Sequence, residues 1–156
     1  MNTRIDYKQA SPAAFKAMLD METCVRRSGL EHSLLDLVKM RASQINGCAF
    51  CLDMHSKDAR AAGETEQRLY LLPAWREAPF YSERERAALA WTEAVTQVSS
   101  NELPDALYAE VRRHFDEKAI VDLTLAIIAI NGWNRMAIAF RSEVGSYASP
   151  ASARPA

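Results

Sequence analysis

The chain has 156 residues and a formal net charge of −1, with 49% hydrophobic and 25% charged residues, the make-up of an ordinary globular domain. Such a neutral balance gives no electrostatic reason to expect nucleic acid or an anionic membrane surface as partner, and no run of about 18 uninterrupted apolar residues suggests a bilayer span. The first residues, Met1 to Lys8, lack the apolar core of a secretory signal, so the expected location is the cytoplasm, where a Cys-x-x-Cys pair is more often catalytic or metal-binding than structural.

Five glycines, abundant alanine and few alternating β-branched runs predict an all-α protein. Ser11-Pro12 reads as an N-cap followed by proline at the first helical position, and Gly29 as the stop. Phe15, Met18, Leu19 and Val25 form the apolar stripe of that helix, and Cys24 within it is expected to pack. A second helix is expected from about Glu31 to Asn46, burying Leu34, Leu35, Leu37, Val38, Ala42 and Ile45. Asn46-Gly47 breaks the chain. A third helix then begins at or near Cys48 and ends before Gly63.

Thr65 opens a short helix that Pro73 stops, and Ser82-Glu83-Arg84-Glu85 reads as a capping box. The helix it launches carries Ala88, Leu89, Trp91, Ala94 and Val95 on one side and ends near Ser99-Ser100. Pro104 starts another helix lasting to about His114, and Asp116 caps a final long helix to about Glu143. The expectation is therefore about six to eight helices in one domain over residues 1–144, with a disordered tail over 145–156.

Two patterns cut across these elements. Leu35-Asp36-Leu37 with Ile45-Asn46-Gly47-Cys48 is echoed by Val121-Asp122-Leu123 with Ile130-Asn131-Gly132-Trp133; a duplicated helix-break-helix unit is one reading, coincidence in alanine-rich helices the other. Leu123 to Ile130 is apolar nearly all the way round, so it must be covered on every side. Either it is the central core helix or a second copy of the chain covers part of it.

The chemistry is concentrated in Cys48-Ala49-Phe50-Cys51-Leu52-Asp53-Met54-His55. Helical offsets of three and four residues place both thiols and the imidazole on one face. A free thiol with a pKa of about 8.5 is only roughly 3% thiolate at pH 7, and the thiolate is the nucleophile. The first turn of a helix, a second thiol and a nearby proton carrier each favour ionisation; the dipole alone favours Cys48 as the more acidic. Zinc is a competing reading, but a structural site needs about four ligands. Cys48, Cys51 and His55 make three, and Cys24, His32 and His114 form no second pair. A buried structural cysteine pair is the other alternative. Asp36, amid Leu34-Leu35-Asp36-Leu37-Val38, reads from spacing alone as a solvent-facing residue pairing with Lys39 or Arg41.

The segment from Leu35 through Asn46-Gly47-Cys48 to His55 closely resembles the alkylhydroperoxidase AhpD-like family of the carboxymuconolactone decarboxylase superfamily. Further matching stretches are Trp75 to Ala78, Ser82 to Glu93 and Asn131 to Arg135. The resemblance implies an all-α fold assembled as homotrimers or homohexamers and a thiol-dependent peroxidase or disulfide-reductase activity. It implies that Cys51 attacks the peroxide, that Cys48, nearer the surface, resolves the sulfenic acid as a disulfide, and that His55 and Asp36 form a proton relay. An external dithiol such as a lipoyl group would then reduce the disulfide. Asp36 stands where the family usually has glutamate, and Phe50 where well-known members have histidine. No nucleotide, flavin or haem motif is visible, so no cofactor and no metal is expected. A redox-sensing or disulfide-exchange module with little turnover is the alternative function. A lactone decarboxylase is a third, with the dithiol counting against it.

Overall fold

The computed structural model describes residues 2–149. Among them are eight α-helices and no strands: α1 (Tyr7–Ala10), α2 (Pro12–Arg26), α3 (His32–Asn46), α4 (Ala49–Ala61), α5 (Glu66–Leu71), α6 (Glu83–Thr96), α7 (Asp105–Arg112) and α8 (Glu117–Phe140), with a 3-10 turn at Leu72–Ala74 after α5. Local chemistry sets most of the ends. Thr65 caps α5 by accepting from the Arg68 N–H. Ser82 and Glu85 form the reciprocal capping box of α6, and Asp116 accepts from Ala119 N–H to start α8. Gly47 takes the left-handed conformation (φ 67°) that closes α3, where a side chain would be strained.

α8 is the spine. Leu123, Ala126, Ile127, Ala129 and Ile130 are buried along it, and the first four meet Leu34, Leu35 and Val38 of α3, Ala87, Ala88 and Trp91 of α6, Val111 of α7 and Phe115 just after it. Each fully buried leucine or isoleucine side chain contributes about 1.5–3 kcal/mol, which accounts for the apolar residues on the covered side of α8, while Val121, Ile128 and Ile138 stay exposed. A second cluster on the far side of α3 joins Leu37 and Met40 to Ala59 of α4, Leu69 and Leu72 after α5, Trp75, Tyr81 and Leu89.

The Asn131-Gly132 pair does not break its helix: α8 runs through it without interruption. A helix-interior glycine costs about 1 kcal/mol, which the flanking buried Ile127, Ile130 and Asn134 outweigh. Gly132 instead makes room for α2, since a Cβ there would lie 2.9 Å from the Met18 Cε. The echo survives as contact rather than as a second break. Asn46 Nδ2 donates to Asn131 Oδ1 (3.0 Å) and Asn134 Oδ1 (2.8 Å), and Asn134 Nδ2 donates to Ser43 Oγ (3.0 Å). Asn134 is wholly buried, and a buried amide left unpaired costs about 1–3 kcal/mol, so the network pins the α3–α4 corner to α8.

Several details differ from the expectation. Cys24 is exposed rather than packed, because α2 buries only Val25 and Leu19 stays 43% exposed. α6 stops at Thr96, short of Ser99, and an additional short helix, α1, is capped by Asp6. The tail expected to be disordered from residue 145 is held against α4 as far as it is described. Gly145 N–H donates to Asp53 Oδ2 (3.2 Å), Lys57 Nζ to the Tyr147 carbonyl (2.9 Å) and the Tyr147 hydroxyl to Asp58 (2.8 Å). The reason is side-chain chemistry that composition conceals: the Tyr147 hydroxyl finds a carboxylate on α4, and a lysine of α4 finds the Tyr147 carbonyl. Residues 150–156 of that expectation lie outside the described residues.

Candidate active site

Gly47 turns the chain so that α4 starts where α3 ends. The Cys48 N–H donates to the Ser43 carbonyl (3.0 Å), and Cys48 becomes the N-cap of α4, its Sγ accepting from the Cys51 N–H at 3.3 Å. Cys48 and Cys51 are joined as a disulfide with Cα atoms 5.3 Å apart. Each is 1% exposed, beside Ala137 of α8 and the ring of Phe50. The resemblance had placed Cys48 nearer the surface; within this chain the two sulfurs are equally covered.

The helical periodicity that groups Cys51 with His55 extends to Asp58 one turn on. α4 runs back along α3, with Ala59 packed against Leu37 and Met40. In such a hairpin, residues at equal chain distance from Gly47 face each other: Ser43 with Cys51, Lys39 with His55, Asp36 with Asp58. Charge interactions follow that pairing. Lys39 acts on His55, and Asp58 acts on Asp36.

His55 is buried, and its Nε2 has no hydrogen-bond partner among the described residues. Burial pushes the imidazole down to about 3, and the Lys39 ammonium adds to the effect; at neutral pH His55 is an uncharged base. Burial also raises the Asp36 carboxyl; Lys39 and His32 pull it down, while Asp58 and Glu64 push it further up. Asp36 is half-buried, neither solvent-facing nor paired with Arg41, which instead bonds Glu93 (2.8 Å). No hydrogen bond joins Asp36 to His55 among the described residues. Asp36 lies one turn, about 4.5 Å of helix rise, beyond the level of the imidazole.

The residue at that level is Lys39, 9% exposed, its Nζ 2.5 Å from Glu22 Oε1 of α2. Reading the sequence found the cysteines and His55 but gave Lys39 only as a surface partner for Asp36. The signal that marks it is its placement across the Gly47 turn from His55. Glu93 was likewise visible only as part of a matching stretch. It accepts from Trp75 Nε1 (2.8 Å) and Arg41 Nε (2.8 Å) and pairs with Arg76 (2.7 Å), a structural knot between α3 and α6. No group of three or more metal-ligating side chains occurs among the described residues.

The carboxymuconolactone decarboxylase family model matches residues 12–94. YdfG of Bacillus subtilis is 48% identical over 94% of this chain and 99% of its own length. ATU0492 of Agrobacterium tumefaciens, a protein of unknown function provisionally assigned to AhpD antioxidant defence, is 50% identical, with a TM-score of 0.90 over 94% of this chain and 100% of that one. The debrominase Bmp8, at 22% identity and TM-score 0.78 over 88% of this chain and 74% of its own, shares the fold.

Proposed function

Because this chain belongs to the carboxymuconolactone decarboxylase family, in its AhpD-like branch, we propose that it is a thiol-dependent peroxidase reducing hydrogen peroxide or organic hydroperoxides. The observation that carries the reading is the Cys48–Cys51 bond at the start of α4 with the uncharged His55 one turn along the same face. In the reduced protein His55 takes the Cys51 proton, and the Cys51 thiolate attacks the distal peroxide oxygen. The O–O bond breaks, Cys51 becomes a sulfenic acid, and the departing alkoxide takes the proton from His55 to leave as alcohol. The Cys48 thiol then displaces hydroxide from the Cys51 sulfur, forming the disulfide and water. An external dithiol, a lipoyl group for example, donates two electrons and two protons by exchange through Cys48 and is itself oxidised. The balance is one hydroperoxide and one dithiol converted to alcohol, water and one external disulfide.

A second reading, a reversible dithiol switch with little turnover, draws on one observation: no hydrogen bond joins Asp36 to His55 among the described residues, so the usual carboxylate does not hold the imidazole directly. One experiment separates the two. Reduced protein mixed with one equivalent of cumene hydroperoxide should lose two thiols and two hydrogens in mass, and with a dihydrolipoyl reductant should sustain many turnovers. Disulfide formation that stops at one turnover favours the switch; no peroxide loss above the protein-free rate overturns the peroxidase. Decarboxylation of a lactone acid needs no dithiol and has no support from this site.

The proposed enzyme is a homo-oligomer. Val121 (66% exposed) and Ile128 (50%) stand uncovered on α8 beside a groove of about 410 Å³ lined by Trp91, Tyr108 and Leu125, a contiguous apolar face of the kind that protein contacts cover. Light scattering at micromolar concentration should give a trimer or hexamer; a monomer would remove this part of the proposal.

A further inference from the structure

We propose that Lys39 is a positioning residue of the dithiol site: its buried ammonium, anchored by Glu22 of α2, lies level with His55 across the α3–α4 hairpin and one turn from Cys51, where its positive charge favours the Cys51 thiolate and keeps His55 uncharged. The inference rests on the peroxidase reading only for its biological use, since the charge arrangement exists whatever the oxidant.

Three observations carry it. Lys39 lies on the row Asp36, Lys39, Ser43, Asn46 of α3, spaced by three and four residues so that it leads down one face to Cys48. The opposing row on α4 is Cys51, His55, Asp58, and the Gly47 turn sets Lys39 level with His55. The lysine is nearly out of solvent, where charges interact more strongly than at the surface, and its ion-pair partner among the described residues, Glu22, comes from a third helix. Glu22 of α2 pairs with Lys39, and the charged groups that act on Asp36, one turn along α3, are Lys39 itself, Asp58 of α4, His32 and Glu64. On the α8 side the neighbour of the cysteines is the apolar Ala137.

A cation at this level has two consequences of one sign. It favours the thiolate over the thiol at Cys51, and it disfavours imidazolium at His55.

The ion pair could instead be only a clamp between α2 and α3, and neutralising one partner at a time separates the two roles. Breaking the pair from either end loosens a clamp equally, but Lys39→Met removes the positive charge while Glu22→Gln leaves it uncompensated. The readout is the pH midpoint of iodoacetamide alkylation of Cys51 in a Cys24→Ser/Cys48→Ser background, where it is the one thiol left. Relative to that background, Lys39→Met should raise the midpoint by roughly one pH unit, a tenfold slower reaction below it. Glu22→Gln should lower the midpoint, and Lys39→Arg should leave it in place. Shifts of the same direction in Lys39→Met and Glu22→Gln, or none in either, would overturn the proposal. Because no peroxide is used, failure here is distinct from failure of the peroxidase reading, which the hydroperoxide turnover assay decides. Should Lys39→Met not fold, Glu22→Gln and Lys39→Arg still decide: a raised or unmoved midpoint in Glu22→Gln overturns it.

Discussion

Cys51→Ser is expected to abolish peroxide consumption, whereas Cys48→Ser should still reduce one equivalent and then stop. The serine hydroxyl of the first variant stays protonated near neutral pH and is no nucleophile toward an O–O bond, so the loss should reach the protein-free rate, a fall of several orders of magnitude. In the second variant Cys51 keeps His55 one turn away and Lys39 across the hairpin. It should react once and accumulate as a sulfenic acid, trapped by dimedone as a single adduct, because the resolving sulfur is gone. Steady-state turnover with a dithiol should then fall sharply, sustained only where the external thiol attacks the sulfenic acid directly.

The geometry gives this pair of variants a second use. The Cys51 N–H points at Cys48 Sγ, and the helix dipole favours an anion there, so Cys48 has its own claim to be the more acidic thiol. If Cys48 were the attacking sulfur, the pattern would reverse: Cys48→Ser inert and Cys51→Ser trapped after one equivalent. An acidic thiol is also the better leaving group. The arrangement therefore suits Cys48 to release from the disulfide when an external dithiol reduces it, if the incoming sulfur attacks Cys51. Peptide mapping of the mixed disulfide formed by one equivalent of thiol distinguishes the two directions of exchange.

What could be read in the sequence was whatever a short stretch of chain decides by itself. The Ser82–Glu85 box, the Thr65 and Asp116 caps and the left-handed Gly47 each satisfy backbone groups within a few residues, so composition and spacing expose them. Asn131-Gly132 has the same letters as Asn46-Gly47 and the opposite outcome. Burial of Ile127, Ile130 and Asn134 against other helices decides it, and that information is not local. The same distinction applies to the site. Cys48, Cys51 and His55 share one helix, and their grouping follows from periodicity. Lys39 and Glu22 join it from two other helices, so only the packing of α2, α3 and α4 reveals them. Asp36 matches by position, but spacing alone hid its half-buried setting under the influence of the Asp58 charge, which comes from the packing of α4 against α3. The hold of Tyr147 on Asp58 was hidden for another reason, since Ser, Ala and Pro dominate the tail and obscure the one residue that docks.

A protein that keeps its imidazole uncharged by burial should lose stability on mild acidification, and His55→Leu should remove that part of the loss. The His55 pKa lies near 3 in the folded chain against 6.5 for an ordinary histidine. Between these values the unfolded chain binds a proton that the folded one refuses, so stability falls as pH falls, by about 1.4 kcal/mol per unit once below 6.5. From pH 7 to pH 5 the His55 contribution amounts to about 2 kcal/mol. The raised Asp36 carboxyl acts in the opposite sense, because the folded chain holds its proton more tightly than the unfolded one. It is present in both proteins, so it largely cancels from the comparison. Urea unfolding of the disulfide form at pH 7 and pH 5 should therefore show wild type losing about 2 kcal/mol more than His55→Leu. Equal losses would mean that His55 accepts a proton in the folded state near its ordinary pKa, and the uncharged base at the centre of the catalytic reading would have to be abandoned. The expected difference reports the surroundings of the imidazole: apolar cover and the neighbouring Lys39 ammonium both disfavour the imidazolium, so the folded chain refuses a proton that the unfolded chain accepts.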